Sequence, residues 1–244
     1  MKMKRLLLVL LVLLGPITIF AQEEDSTYVP NPPDFGQIKK EIKSRKSDYY
    51  YPELLKRFEA ADTTLTLEEM RHFYYGTATR NGYDPYKNDL TRELKEATRK
   101  ETMTESDWRK AASIINQQLK SDPTNLTFCQ YKQMVYEHLF GRDAKETYDA
   151  FCQVMMLTGA IMSSGDGASK ESAIYVICVS DEYAIMKFYG LSPSMQSLVR
   201  DGEQEYDVME LEENGFGLEN MYFNITVCAK ALEKKLNSWN SFGF

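Results

Sequence analysis

The chain reads as an α+β protein, with antiparallel helices in its N-terminal two-thirds and a small antiparallel sheet of about four strands near its C-terminus. Three observations predict this. Between Phe35 and Met162, apolar residues recur at three- and four-residue intervals, the spacing that puts them on one face of a helix. After Gly167 the runs become β-branched and aromatic, or alternate apolar with polar, as half-buried strands do. The dipeptides Asp201-Gly202 and Asn214-Gly215 fall between those runs as turn signals, and helices followed by strands define the class.

The helices follow in order. Phe35, Ile38 and Ile42 make a first amphipathic helix after Asp34, and Leu54, Leu55 and Phe58 a second, with Pro52 at its first turn. Thr66 and Glu69, three apart, form a capping box for a third helix. Its predicted inner face is Leu67, Met70, Phe73 and Tyr74, with Gly76 as its stop and His72 turned to solvent. Asn81-Gly82 and Asp84-Pro85 mark a loop, after which residues 90–99 return to helix. Thr104 can cap a helix carrying Trp108, Ala112, Ile115 and Leu119. Phe128, Tyr131, Val135 and Leu139 repeat that spacing, and Ala144, Tyr148, Phe151 and Met155 mark a last helix towards Met162. Short breaks make these three antiparallel neighbours. The break "LKSDPTNLT" followed by "LFGRDAKETYDAF" resembles tetratricopeptide repeats over about one and a half repeats, an expectation of partly repeat-like packing. In the second half, "SAIYVICVS", "QSLV", "EYDVMELEE" and "LENMYFNITV" are the strand candidates, while "DEYAIMKFYG" suits a short helix.

At the N-terminus, Lys2, Lys4 and Arg5 precede the unbroken apolar run Leu6–Leu14, and a small residue, Ala21, closes the segment. Residues 1–21 thus read as a signal peptide, and residues 22–33, acidic with three prolines, as an extended leader. A single domain is expected over residues 34–236, helical to 162 and sheet over 169–230, with 237–244 as a tail. Gly15 and Pro16 interrupt a run already shorter than the roughly 20 residues of a membrane span. No second long apolar run follows, so the mature chain has no expected span and is expected to be soluble, in the periplasm or outside the cell. The formal charge is −7, and removing the three cations of residues 1–21 leaves the remainder more acidic still. Without a cluster of Lys or Arg, nucleic acid is excluded as a partner, because phosphate binding needs concentrated positive charge. A hydrophobic content of 43% is ample for a core.

Few residues carry chemistry. The four cysteines, Cys129, Cys152, Cys178 and Cys228, lack any metal-binding spacing and are flanked by apolar residues, so buried thiols are expected. If they oxidise, the pairs are Cys129 with Cys152 and Cys178 with Cys228. The stretch "SSGDG", residues 163–167, lacks the lysine of a phosphate loop and the alternating oxygens of a calcium loop. With only His72 and His138 in the chain, the latter expected to pack at the edge of its helix's stripe, no serine or cysteine triad is expected. The stretch reads instead as a connector in which Asp166 bonds the following backbone.

The phrases "YYYPELLKRFEAADTTLTLEEMRHFYYG", "DPY", "SSGDG", "SDEYAIM", "QSLV", "YDVMELEENGFG" and "MYFNIT", taken in order, resemble an exported family of Bacteroidota known as domain of unknown function 4919. The resemblance runs from about Pro33 to Thr226. It implies a periplasmic or secreted protein, and it implies no activity, cofactor or catalytic residue.

Binding candidates are therefore drawn from residue chemistry. Tyr74, Tyr75, Tyr83 and Tyr86 form an aromatic group suited to stacking on a sugar or a partner side chain. Asp166, Asp181 and Glu182 add carboxyls, of which Asp181 and Glu182 adjoin a strand that looks buried. The expected role is a non-enzymatic interaction protein holding a protein or glycan, with no cofactor or metal. The alternative is a hydrolase of polysaccharide or envelope material using paired carboxylates from Asp166, Asp181, Glu182 or Glu210. Two of these facing each other across a cleft would favour the enzyme, and a tyrosine-lined groove without acids would favour binding.

Overall fold

A computed structural model of the chain describes residues 29–86, 91–100 and 102–241. The segment read as a signal peptide, the first part of the stretch read as a leader, and residues 87–90, 101 and 242–244 lie outside the described residues. The fold is α+β, with nine helices among the described residues, mostly in the first two-thirds, and a four-stranded sheet in the last third.

Helices α1 (Phe35–Glu41) and α2 (Tyr51–Glu59) pack on α3 (Leu67–Thr77). The predicted caps are present. Asp34 accepts from the Gln37 amide, and Thr66 and Glu69 close a reciprocal box at the start of α3, each satisfying a backbone N–H that the helix leaves unpaired. Three further helices, α4 (Thr91–Thr98), α5 (Glu105–Ser121) and α6 (Leu126–Phe140), gather around a small core of Leu94, Ala111, Ile115, Phe128 and Val135. Helix α7 (Lys145–Met162) packs on both α6 and α3, and so joins that unit to the main core.

The sheet contains β1 (Ile174–Tyr175), β2 (Pro193–Asp201), β3 (Gln204–Leu211) and β4 (Asn220–Asn224), in the order β1-β4-β3-β2. Strands β2, β3 and β4 are antiparallel, with Leu198 opposite Asp207 and Asp207 opposite Phe223. The expected all-antiparallel sheet is modified at one edge, where β1 runs parallel to β4, Ile174 opposite Phe223. Between β1 and its partner the chain makes helix α8 (Val179–Phe188) and the β2–β3 hairpin, so β4 returns alongside β1 in the same direction. The strand character read through Val227 stops at Asn224, where helix α9 (Thr226–Ser241) begins in place of a tail. Glu205 N–H donates to the Thr226 hydroxyl and Ile225 N–H to the Glu205 carbonyl, and Cys228 is buried. Those contacts hold the first turn of α9 against β3.

Four sequence readings are corrected. His72 is buried rather than facing solvent: it stacks on Tyr49 with ring centroids 3.7 Å apart, and its Nε2 lies 2.6 Å from Glu41 Oε2. Helix α3 is covered on nearly all sides, from Met70 to Gly76, so one apolar stripe does not describe it, while Leu67 at its first turn is exposed. In α7 the stripe Tyr148, Phe151 and Met155 faces outwards, and Ala150, Val154, Leu157 and Ile161 form the buried face. His138 is exposed and stacks on Trp108 at 4.1 Å.

The connector "SSGDG" is a closely fitted joint between α7 and β1. Ser164 Oγ donates to the Ile161 carbonyl and accepts from the Tyr175 amide. A Cβ on Gly165 would lie 2.2 Å from the Ala173 and Ser172 carbonyl oxygens, so no other residue fits. Gly167 has φ +75° and its carbonyl accepts from Tyr222 of β4, while Asp166 accepts from the Ala168 amide and the Ser172 hydroxyl. Asp166 is thus a turn residue, remote from the cleft described below.

Candidate functional site

The most concentrated polar chemistry lies on the seam between the α4–α6 unit and the N-terminus of α8. Two connections converge there: the α3–α4 segment with Tyr83, Asp84, Pro85 and Tyr86, and the α5–α6 turn "SDPTN". Asp122 caps that turn from within, accepting from the Thr124 hydroxyl and from Asn125 Nδ2, while Asn125 Oδ1 accepts from the Phe128 amide to start α6. Pro123 ends α5, and the turn's polar side chains pack inwards: Thr124 and Asn125 are both buried.

Between these segments and α8 lies an inner cavity of about 90 Å³, lined among others by Tyr83, Asp84, Asp122, Asn125, Cys178 and Asp181. Asp181 is 0% exposed. Its Oδ2 accepts from the Tyr74 hydroxyl at 2.6 Å, and that hydroxyl accepts from the Ile177 amide at 3.1 Å. Its Oδ1 has no hydrogen-bond partner, although the Leu126 amide at the start of α6 faces the carboxyl. Burial pushes the Asp181 carboxyl up to about 8, against the opposing effect of the Tyr74 hydrogen bond. Tyr83 donates to the Ile177 carbonyl at 2.6 Å and closes one wall.

Outside this chamber, and sharing Pro85 and Asn125 with it, is a cleft of about 350 Å³. Phe128 and Tyr131 of α6, Val179, Ser180 and Tyr183 of α8, Leu94 and Lys95 of α4, and Tyr86 line it. Among the described residues, no carboxylate lines it. Tyr86 and Tyr183 are 38% and 45% exposed, leaving aromatic surface for a ligand, whereas Phe128 is buried at the floor.

Glu182 points away from both spaces. It is 0% exposed, no N–H or O–H donor reaches either oxygen, and its carboxyl meets that of Asp207 on β3. Burial raises both groups, Glu182 far enough to keep its proton and donate it to Asp207. Gln196 Nε2 donates to Asp207 Oδ2 at 2.7 Å, and Tyr183 donates to Gln196 Oε1 at 2.6 Å, so the pair is sealed beneath the rim of the cleft.

Of the sequence-predicted residues, the structure brings Tyr74, Tyr83, Tyr86 and Asp181 together on this seam. Tyr75 belongs to the core, edge-on to Phe35 and Tyr74. Glu182 is a buried neighbour, and Glu210 lies on the exposed end of β3 beside a separate shallow pocket. Sequence reasoning missed Asp122, Asn125, Tyr131, Tyr183 and Asp207. Tyr131 looked like core, and the turn "SDPTN" looked like a helix break. An acid and an amide on either side of that proline were the available signal. The four cysteines are free thiols: Cys129, Cys152 and Cys228 are buried, and Cys178, half-buried, donates to the Pro85 carbonyl at 3.2 Å. Neither candidate disulfide pair is bonded. Burial pushes the Cys129 and Cys178 thiols up to about 12, which makes them poor nucleophiles. Among the described residues no cluster of His, Cys, Asp or Glu could hold a metal ion, and no helix is long and apolar enough to cross a membrane.

Residues 36–235 match the family model described as domain of unknown function (DUF4919). No curated protein and no solved structure matches the chain.

Proposed function

This chain belongs to the domain of unknown function 4919 family, and from the geometry of its cleft we propose that it is a non-enzymatic binding protein that holds a small glycan in the tyrosine-lined cleft. The observation that carries this reading is the lining: three tyrosines and Phe128, with Lys95, Asn125, Thr127 and Ser180 as polar partners and, among the described residues, no carboxylate. Aromatic faces stack on the C–H faces of sugar rings, and the few polar groups fix orientation, the usual division of labour in a ligand pocket. The size, near the lower end of small-molecule pockets, suits one or two rings.

The hydrolase alternative is less well supported. Of the acids it needs, Asp166 ties a connector, Glu210 stands apart, and Glu182 touches Asp207 instead of facing another carboxyl across open space. Asp181 lines the inner chamber, where its neighbouring carboxyls are engaged in structural contacts: Asp84 accepts from Lys235, and Asp122 from Thr124 and Asn125.

The sequence features at residues 1–21 support export to the periplasm or the cell exterior as a soluble protein, where glycans are abundant. The test is calorimetric titration of the mature chain with a panel of oligosaccharides and cell-wall fragments. A binder is expected, and Tyr86→Ala and Tyr183→Ala each weaken it at least tenfold, equivalent to about 1.4 kcal/mol. Unchanged affinity in both variants places the ligand elsewhere and overturns the reading. Turnover of a bound glycan that stops in Glu182→Gln would restore the hydrolase.

A further inference from the structure

Strand β2 lies at the free edge of the sheet, with β3 as its one strand neighbour. It runs for nine residues and is uncovered on both faces. Every residue from Ser194 to Leu198 is exposed, among them Met195 at 57% and Leu198 at 64%, whose side chains point to opposite faces of the sheet. A strand held by one neighbour and no covering layer gains little from burial, and a long edge with exposed apolar residues is a template for a further strand. The devices that usually blunt such an edge are not used in β2. It contains no lysine, its proline is its first residue, and its register irregularity is confined to the Pro193–Met195 end. We infer that β2 is a homodimer interface, at which two copies of this chain join their sheets by antiparallel pairing of β2 with β2 about Ser197.

Backbone phase, charge and chain path favour a second copy as the occupant. The two-residue turn Gly202–Glu203 makes Asp201 and Gln204 a hydrogen-bonded pair, so Val199, Ser197 and Met195 direct their backbone groups to β3 while Arg200, Leu198 and Gln196 direct theirs outwards. A two-fold axis at Ser197 sets Gln196 of one copy opposite Leu198 of the other, so outward groups meet outward groups. The same axis sets Met195 opposite Val199 on one face and brings the two Leu198 side chains within diagonal reach on the other.

The chain is acidic, so two copies repel on most approaches. At β2 that repulsion is small: Arg200 pairs with Glu205 and Asp201 with Lys170, and the axis places these two residues opposite the uncharged Ser194 and Pro193. The described chain enters the fold at the opposite, β1 edge, where Asn31 N–H donates to the Ser164 carbonyl and Ser164 Oγ accepts from Tyr175. Residues 22–25, "QEED", are moreover poor strand formers. Just before β2, Tyr189 stands edge-on to Phe188 and Phe216, all three exposed. Antiparallel pairing brings the β2–β3 turn of the second copy to that end of the strand, which extends the contact beyond two strands. The surface is still small for a protein interface, so the dimer is a weak and reversible one.

Sedimentation velocity of the mature chain over about a hundredfold range of concentration is expected to show a monomer–dimer equilibrium. Leu198→Lys changes an exposed side chain and sets two ammonium groups at diagonal positions. It is expected to weaken association at least about tenfold with unchanged circular dichroism. Ser197→Cys places two thiols in the close pair on the axis and is expected to oxidise to a disulfide-linked dimer, whereas Ser44→Cys, exposed but remote from the sheet, does not. A dimer that Leu198→Lys leaves intact places the interface elsewhere and overturns the inference. If association is too weak to sediment as a dimer, the cross-link decides: faster oxidation of Ser197→Cys than of Ser44→Cys supports the pairing, and equal rates overturn it. Slow amide exchange along β2 in a strictly monomeric chain would give the edge to another segment of the same molecule, and would overturn it as well.

Discussion

At the scale of single residues, the most consequential feature is the protonation of Asp181. Its folded carboxyl titrates at about 8, against an ordinary value of 3.8. Between those values the native state holds a proton that the unfolded chain has released. Stability is therefore complete below about pH 4 and falls as pH rises to about 8, by about 1.4 kcal/mol for each unit traversed. Glu182 and Asp207, also raised by burial, add to the slope in the same direction. Asp181→Asn removes one titration, so urea unfolding of the variant between pH 4 and 8 is expected to show a shallower decline than the wild type. Parallel slopes for the two proteins would mean that Asp181 is ionised throughout. The residue's burial was half-legible: "VSDEYAIM" places it beside an apolar strand, but the partner, Tyr74, lies 107 residues away in sequence.

At the scale of elements, caps and turns were readable because their chemistry is local. Thr66 with Glu69, and Thr104 with Asp107, satisfy backbone groups three residues away whatever the rest of the molecule does. The buried faces of α3 and α7 were not readable in the same way. Each carries apolar residues around most of its circumference, and the neighbouring helices choose which of them is covered. His72 shows the cost of relying on one stripe, since Glu41, the Glu68 carbonyl and Tyr49 supply a polar niche inside the fold. The α7–β1 connector offers a direct test. Gly165→Ala forces a methyl group against two backbone carbonyls that cannot rotate away, and is expected to destabilise by about 3 kcal/mol or more in chemical denaturation. Gly215→Ala, where a Cβ meets nothing within 4 Å, serves as the control and should change little.

At the scale of the molecule, two cores of unequal size share helix α6, which sends Leu126 and Cys129 into the larger and Phe128 and Val135 into the smaller, and meet at the seam that forms the cleft. The larger joins α1, α2, α3, α7, α8 and the sheet, whereas the smaller rests on five fully buried side chains from α4, α5 and α6. Local opening free energy follows buried apolar contact, so the α4–α6 unit is expected to exchange its amide hydrogens faster than α3, α7 or β3. Val135→Ala should widen that gap, lowering protection in α4–α6 and leaving the sheet nearly unchanged. Uniform loss of protection across both cores would show that they unfold as one. Because Leu94, Phe128 and Tyr131 belong to the smaller core and also line the cleft, a bound ligand should slow exchange in that unit first.

Sequence alone determined the class, the order of elements and the helix starts, since periodicity, caps and turn glycines depend on residues within a few positions of one another. It also singled out Tyr83, Tyr86 and Asp181, because aromatic and acidic residues beside loops and buried strands stand out by composition. Only the tertiary structure decided that β1 runs parallel to β4, that Glu182 meets Asp207, and that the "SDPTN" turn, the Tyr86 segment and α8 enclose one cleft. Those are contacts between segments tens of residues apart. Their free energy comes from shared burial, which no local pattern encodes.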